Sequence, residues 1–168
     1  MIFVTVGTHE QAFDRLVEYV DNLKRDGYIE DEVMIQTGFC TYEPKYCKWS
    51  KLLAYEDMIK NVEEARIVIT HGGPSSFIMP LQIGKTPIVV PRKKVFDEHV
   101  NDHQLEFAKA VEERQKNIVV IENIEDLKDV IINYEKITSN IAGGLNSNNL
   151  TFNKEFESLI DDIFKKRG

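Results

Sequence analysis

The stretch ARIVITHGGPSSF, residues 65–77, is the part of this chain that is most informative about its fold. Its residues 67–69 are β-branched and continuous, which predicts a strand buried on both faces of a parallel sheet. Gly72 and Gly73 then allow a tight turn and a close approach of backbone. Pro74 suits the first position of a helix. The stretch is therefore typical of a strand, a glycine turn and a helix N-terminus.

This arrangement predicts an anion site at the turn. Unpaired backbone N–H groups and the helix dipole both point at a ligand bound there. Ser75 and Ser76 add two hydroxyls to the first helical turn. The simpler alternative is an ordinary strand–helix turn whose glycines serve only its geometry. We interpret the turn as a phosphate site.

Composition limits the class of protein. A chain of 168 residues can bury one sizeable core and is too short for two ordinary α/β domains. The formal net charge of −7 argues against a nucleic-acid-binding surface, although basic patches occur at residues 92–94 and 165–167. No apolar run has membrane-spanning length, and we expect the fold to begin at residue 1, in the cytosol. Cys40 and Cys47 form no CxxC pair, which predicts free thiols rather than a disulfide or a metal site.

Strand and helix patterns alternate along the chain. Strands are predicted at 2–6, 33–36, 65–69, 87–91 and 118–121. Helices are predicted at 13–24, 55–65, 74–83, 102–113 and 124–133, with residues 39–54 as a long irregular connection. The alternation indicates an α/β fold with a Rossmann-like, doubly wound parallel sheet. We expect this domain to span residues 1–137, followed by a flexible segment at 138–150 and an amphipathic helix at 151–168.

Ligands of such sheets bind beyond the carboxyl ends of the strands. That rule selects four loops, at residues 7–10, 36–38, 71–76 and 92–104. The last contains His-Val-Asn-Asp-His-Gln at 99–104, and its amide groups suit sugar hydroxyls because they both donate and accept. The alternative is that Asn101 or Asp102 is the N-cap of a helix and the histidines are solvated.

Several blocks together resemble the nucleotide-sugar-binding C-terminal half of family 28 glycosyltransferases of the GT-B class. The resemblance is carried, in family order, by residues 3–8, 13–16, 36–38, 65–76, 84–91 and 101–104. Val-Gly-Thr near the start and His-Gly-Gly-Pro-Ser-Ser at 71–76 are most similar to stand-alone subunits from bacterial capsule and exopolysaccharide clusters.

The resemblance implies a role for each site residue. Around the diphosphate of a UDP-sugar it places Gly7, Thr8, Gly72, Gly73, Ser75 and Ser76. Near the donor sugar or nucleoside it places Gln36, Gly38, His71, Asn101, Asp102, His103 and Gln104. His9 is the candidate catalytic base or phosphate contact, the alternative being a solvated loop histidine. Met79 stands where many family members have a glutamate that holds the ribose, so ribose recognition must differ here.

The implied function is that of a donor-binding subunit of an inverting hexosyltransferase. It would transfer a hexose, with galactose or glucose favoured over N-acetylglucosamine, from a UDP-sugar to a lipid-linked saccharide acceptor. The chain has no room for an acceptor-binding domain, so a membrane-associated partner subunit is expected to hold the chain at the inner face of the membrane. No DxD pair lies near the site, and neither a metal nor a cofactor is expected. The alternatives are a non-catalytic UDP-sugar-binding enhancer and a Rossmann oxidoreductase, although the latter lacks G-x-G-x-x-G after the first strand.

The predicted C-terminal helix carries an apolar stripe between residues 152 and 164. The stripe either packs on its own domain, docks on the partner subunit, or pairs two copies as a homodimer when the partner is missing. Under docking, the basic end at 165–167 would face an anionic membrane.

Overall fold

A six-stranded, all-parallel sheet forms the centre of the computed structural model, which describes residues 1–139 and 141. The strands are β1 Ile2–Thr5, β2 Val33–Gln36, β3 Lys48–Ser50, β4 Ile67–His71, β5 Ile88–Val90 and β6 Val119–Val120. Their order is β3-β2-β1-β4-β5-β6, so the direction of winding reverses between β1 and β4. The predicted doubly wound α/β fold is confirmed, and its ligand crevice is expected at that reversal.

Helices cover both faces of the sheet. They are α1 Asp14–Arg25, α2 Tyr55–Glu64, α3 Pro74–Gln82, α4 His103–Gln115, α5 Leu127–Ile132 and α6 Tyr134–Ser139, with 3-10 turns at Lys94–Phe96 and Ile124–Asp126. The predicted helix at 124–133 is thus a 3-10 turn followed by a short α-helix. The second short helix, α6, continues two residues past the expected domain end at 137.

Alternation along the strands divides the core between two layers. One face of β1 presents Ile2 and Val4 to α1, α5 and α6, and the other presents Phe3 to α2. On that second face, Val89 of β5 packs with apolar side chains of α3 and α4, Phe77 among them. Both faces of each central strand are buried, which is why these strands read as continuous apolar runs.

Helix α1 ends at Arg25, one residue beyond the predicted end at 24, and a glycine follows two residues later. Gly27 has φ +82°, its N–H donates to the carbonyl of Lys24, and the N–H of Tyr28 donates to the carbonyl of Leu23. This pair of bonds satisfies carbonyls that the last helical turn leaves unpaired.

The connection at residues 39–54 contains an edge strand that the sequence pattern does not reveal. The carboxylate of Asp21, fully buried, accepts the Tyr42 hydroxyl and the N–H groups of Lys45, Tyr46 and Cys47. Burial alone would raise the pKa of Asp21, but these hydrogen bonds hold the pKa below its ordinary value. One carboxylate in α1 therefore fixes the chain that leads into β3.

Two further sequence predictions concern thiols and membranes. Cys40 and Cys47 are both free thiols, as predicted. No helix within the described part of the chain is long and apolar enough to cross a membrane. The predicted C-terminal helix at 151–168, and all but the first two residues and residue 141 of the predicted flexible segment, lie outside the described residues.

Candidate functional site

A pocket of about 450 Å³ opens beyond the carboxyl ends of β1, β2 and β4. It is lined by Thr5, Gly7, Thr8, His9, Gln36, Leu52, Leu53, Met58, His71, Ser75 and Ser76. Seven of these were predicted as site residues from the sequence. The other predicted residues, outside the lining, are Gly38, Gly72, Gly73, Asn101, Asp102, His103 and Gln104.

The N-terminus of α3 forms one wall of the pocket. Gly73 is the N-cap and Pro74 the first helical residue, as the sequence predicts. The Ser76 N–H donates to the carbonyl of Gly73 at 3.1 Å. Within residues 1–139 and 141, the N–H and hydroxyl of Ser75 have no hydrogen-bond partner, and neither have those of Thr8 across the pocket. These groups are free to donate to a bound anion, and the helix dipole favours one there.

Four glycines pack closely around the pocket, and two of them, Gly7 and Gly73, lie directly against the imidazole of His71. A Cβ on Gly7 would lie 2.3 Å from Nε2 of His71, and one on Gly73 would lie 2.2 Å from Cε1. A Cβ on Gly72 would lie 2.7 Å from Cβ of Gln104, and Gly38, at φ +56°, packs against the carbonyl of Gly7. The glycines thus have a packing role, and their role in phosphate binding stays a prediction.

Gln36 uses its amide to hold the loops that frame the pocket. Its Oε1 accepts from the Thr5 hydroxyl at 2.6 Å. Its Nε2 donates to the carbonyls of Gly7 at 3.2 Å and Lys51 at 2.8 Å. Both amide hydrogens are therefore engaged within the protein, although the side chain borders the pocket.

His71, Gln104 and Ser76 form a connected network. Gln104 Oε1 accepts from the N–H groups of Gly72 and Arg92, each at 3.1 Å. Its Nε2 lies 3.3 Å from Nδ1 of His71, and Nε2 of His71 lies 2.9 Å from the Ser76 hydroxyl. Burial, together with the positive charge of Arg92, lowers the pKa of His71 to about 3. The ring is therefore neutral at physiological pH.

His9 stands at the rim and stacks on a second histidine. The rings of His9 and His99 lie 4.5 Å apart at an angle of 17°. His9 Nε2 is 2.8 Å from Oε1 of Gln11, whose Nε2 donates to the carbonyl of Asp97. Because the Gln11 oxygen can only accept, Nε2 is the nitrogen that carries the proton when His9 is neutral, and Nδ1 is then the basic nitrogen. Burial, and the neighbouring His9 and Arg92, lower the pKa of His99.

Arg92 is the main correction to the sequence analysis, which assigned it to a surface basic patch. Its side chain is fully buried and donates to the carbonyls of Val6, Gln11 and Glu98. Its guanidinium also lies 5.0 Å from the centre of the Phe13 ring. Arg92 therefore ties the loop after β1 to the loop after β5. Nothing in the local pattern distinguishes it from Lys93, its neighbour.

The segment 101–104 begins α4 and is only partly available to a ligand. Asp102 is the N-cap residue, but its carboxylate accepts from the N–H of Lys94 at 2.9 Å. Asn101 Oδ1 accepts from the N–H of His103 at 3.0 Å, and the His103 side chain is exposed. The bond from Asn101 and the exposed His103 agree with the capping alternative, whereas the Asp102 side chain makes no capping bond and His99 stacks on His9. Contacts of this segment with a donor sugar stay a prediction.

The apolar wall of the pocket was not identified from the sequence. Leu52 and Leu53 follow β3, and Met58 lies in the first turns of α2. Met79 packs beside the apolar cluster that contains Phe3 and Val68 and is not among the residues that line the pocket. The adjacent leucines before α2 are the one signal that could have revealed this wall.

The chain is similar to known glycosyltransferases in both sequence and fold. The glycosyltransferase family 28 C-terminal domain profile matches residues 1–163. The chain belongs to this family. Over 118 residues it is 34% identical to the UDP-N-acetylglucosamine transferase subunit ALG13 of Mus musculus, a match that covers 64% of this chain and 9% of the mouse protein. The human protein of the same name is also 34% identical, over 119 residues that cover 64% of this chain and 10% of that protein. The chain thus matches about a tenth of the length of these relatives.

Two solved structures share the fold of this family 28 domain. The glycotransferase of kitacinnamycin superposes with a TM-score of 0.54 at 13% identity, covering 94% of this chain and 42% of that one. The glycosyltransferase SnogD from Streptomyces nogalater superposes with a TM-score of 0.51 at 14% identity, covering 87% and 39%. The predicted correspondence to one half of a GT-B glycosyltransferase is confirmed as a matter of fold.

Proposed function

We propose that this chain is the donor-binding subunit of a UDP-sugar-dependent glycosyltransferase and holds the UDP moiety in the pocket described above. The observation that carries the proposal is the set of free donors on opposite walls, from Thr8 on one side and Ser75 on the other. Such donors at a helix N-terminus suit a diphosphate. The family, and relatives named as subunits of a UDP-N-acetylglucosamine transferase, support the same assignment.

The pocket has a polar end and an apolar end, and a nucleoside diphosphate has the same division. Leu52, Leu53 and Met58 offer a surface on which a flat uracil ring can pack, while the α3 N-terminus receives the phosphates. In an inverting transfer, the helix N-terminus would stabilise the charge that develops on the departing UDP. No three His, Cys, Asp or Glu side chains among residues 1–139 and 141 are grouped so as to hold a metal ion. Metal-independent transfer without a cofactor is part of the proposal.

His9 is the proposed base in this chain. It lines the pocket, and the bond from its Nε2 to Gln11 leaves the Nδ1 lone pair to accept the proton of an acceptor hydroxyl. Retained transfer by a His9→Gln variant in the assembled enzyme would assign the base to another residue.

A partner subunit completes the proposed enzyme. The relatives are named as transferase subunits, which supports a multi-subunit enzyme. A membrane-associated partner that binds a lipid-linked saccharide, and a peripheral position of this chain at the inner face of the membrane, extend the proposal. A role in capsule or exopolysaccharide synthesis rests on sequence resemblance alone.

Calorimetric titration of the chain with UDP, UDP-glucose, UDP-galactose and UDP-N-acetylglucosamine tests donor binding and ranks the sugars. The sequence resemblance favours galactose or glucose, and the relatives' name favours N-acetylglucosamine. We expect UDP to bind and to raise Tm, because a ligand that binds only the folded state stabilises it. Absence of binding by all four at millimolar concentration, with the partner present, would overturn the proposal. Assays of each subunit alone and mixed separate the catalytic subunit from a non-catalytic enhancer.

A further inference from the structure

Resting on the proposed function, we propose that Gln104 is a positioning residue. Together with the N–H of Gly73, its amide fixes His71 as a hydrogen-bond donor to Ser76, which leaves the Ser76 hydroxyl hydrogen for the phosphate of the donor. Gln104 lies outside the pocket lining, so it acts through His71 rather than by touching the nucleotide.

The first step is the orientation of the Gln104 amide. Two backbone N–H groups, of Gly72 and Arg92, each lie 3.1 Å from one atom of that amide. An N–H can only donate, so this atom is the oxygen. The remaining atom is Nε2, which is 3.3 Å from Nδ1 of His71 and must be the donor in that contact.

The second step is the tautomer of His71. Its Nδ1 accepts from Gln104 Nε2 and also from the N–H of Gly73 at 3.1 Å. A nitrogen that accepts carries no proton, so the single proton of the neutral ring is on Nε2. Burial lowers the pKa of His71 to about 3, in agreement with a neutral ring.

The third step is the direction of the Ser76 hydroxyl. Nε2–H of His71 donates to Ser76 Oγ at 2.9 Å, so the oxygen uses a lone pair there and keeps its own hydrogen. In the described part of the chain no group accepts that hydrogen, and Ser76 lines the pocket. In the opposite tautomer, Nε2 of His71 would accept a hydrogen bond from the Ser76 hydroxyl. Only lone pairs of the Ser76 oxygen would then face the phosphate, and its negative charge repels them.

The sharpest test is Gln104→Glu, which keeps the shape of the side chain and removes its N–H donor. A carboxylate beside Nδ1 draws the ring proton to Nδ1, so that Ser76 must donate to His71. Long-range ¹H–¹⁵N spectra of the free protein report the tautomer without any ligand. We expect Nε2–H in the wild type, Nδ1–H in Gln104→Glu, and UDP binding at least tenfold weaker in that variant, because a bond to a charged group is lost.

The negative charge that Gln104→Glu adds can itself weaken UDP binding. Repeating the substitution in a Ser76→Ala background serves as the control for this effect. Charge repulsion acts equally in both backgrounds, whereas the positioning effect needs the hydroxyl. We expect Gln104→Glu to weaken UDP binding at least fivefold more with Ser76 than with alanine. Gln104→Met, which is neutral and lacks the donor, provides a second variant if the glutamate disturbs folding. Because the Gly73 N–H still donates to Nδ1 in that variant, we expect a loss of UDP affinity that is larger with Ser76 than with alanine, but by less than fivefold.

The outcomes separate this inference from the proposed function. A wild type that binds UDP but carries the proton on Nδ1 of His71 overturns the inference alone. So do equal losses of affinity in the serine and alanine backgrounds. A wild type that does not bind UDP overturns the proposed function and, with it, the role of Ser76.

Discussion

A Cβ atom on Gly73 would lie 2.2 Å from Cε1 of His71, far closer than real side chains approach one another. The backbone of Gly73 itself is ordinary, with φ −70° and ψ 127°, which any residue adopts. The demand for glycine at this position therefore comes from the imidazole and not from the turn. Gly27 is the reverse case, because its φ is +82° and nothing lies within 4 Å of its Cβ position.

This contrast gives a matched pair of variants. We expect Gly73→Ala to displace His71 and to abolish the rise in Tm that UDP produces. Gly27→Ala should lower the free energy of unfolding by about 1–2 kcal/mol through backbone strain and leave UDP affinity unchanged. Thermal unfolding with and without UDP measures both effects. Normal UDP affinity in Gly73→Ala would contradict the packing argument.

Removal of the buried guanidinium of Arg92, which connects the loops around the site, should lower the free energy of unfolding. In Arg92→Met, the carbonyls of Val6, Gln11 and Glu98 lose their donors at 2.7, 2.6 and 3.1 Å. We expect a loss of about 3 kcal/mol or more in the free energy of unfolding, because each unpaired buried group costs about 1–3 kcal/mol. Lys94→Met, two residues away on an exposed side chain, should change it by less than about 0.5 kcal/mol. Urea unfolding measures the change in free energy of unfolding for both variants. A loss in Arg92→Met as small as that in Lys94→Met would contradict the buried position of the Arg92 side chain.

The two thiols should react slowly in the folded protein. Burial raises the pKa of Cys40 to about 11 and that of Cys47 to about 12, and the thiolate is the reactive form. At pH 7.5 we expect a disulfide reagent to label neither thiol quickly, and to label both at once in guanidinium chloride. Cys40→Ser assigns any residual rate. Rapid labelling of Cys47 in the native state would indicate that residues 39–47 open readily.

The free energy of unfolding at acid pH should depend on one ion pair at the amino ends of the strands, opposite the pocket. Arg66 donates to both oxygens of Asp31, at 3.1 and 2.7 Å, which lowers the pKa of Asp31 to about 2. The unfolded value is about 3.9, so the stability that this carboxylate contributes is present above about pH 4 and is lost as the pH falls towards 2. Asp31→Asn should unfold with a shallower dependence on pH in that window. An unchanged slope would show that other carboxylates control acid unfolding.

The sequence predicted those helices and strands that are specified by residues within the element itself. Apolar periodicity located the central strands and α1 to within one or two residues, and Pro74 began α3 where expected. Strand β3 escaped detection because it has only three residues, two of them polar, and lies at the edge of the sheet. Its position depends on Asp21, more than twenty residues earlier in the chain, and such a long-range bond leaves no mark on the local pattern.

The site divides in the same way. The carboxyl-end rule brought Gly7, Gln36 and His71 together correctly. Residue type did not reveal which amides are already engaged within the protein. Gln36 and Gln104 suit sugar hydroxyls by chemistry, yet their amides bind backbone groups and His71. An engaged amide and a free amide are identical in sequence and differ only in what the fold places beside them.

The hydrogen bonds of Arg92 to main-chain oxygens suggest which residues can be changed to alter the specificity of this protein. All three acceptors of its guanidinium are main-chain oxygens, so the contact does not depend on which side chains the two loops carry. Residue 10 and residues 99–101 can therefore be randomised in a library without removing the contacts of Arg92 with the two loops. A search for new donor or acceptor preferences would start best at those four positions, with Arg92, Thr8 and His9 held constant.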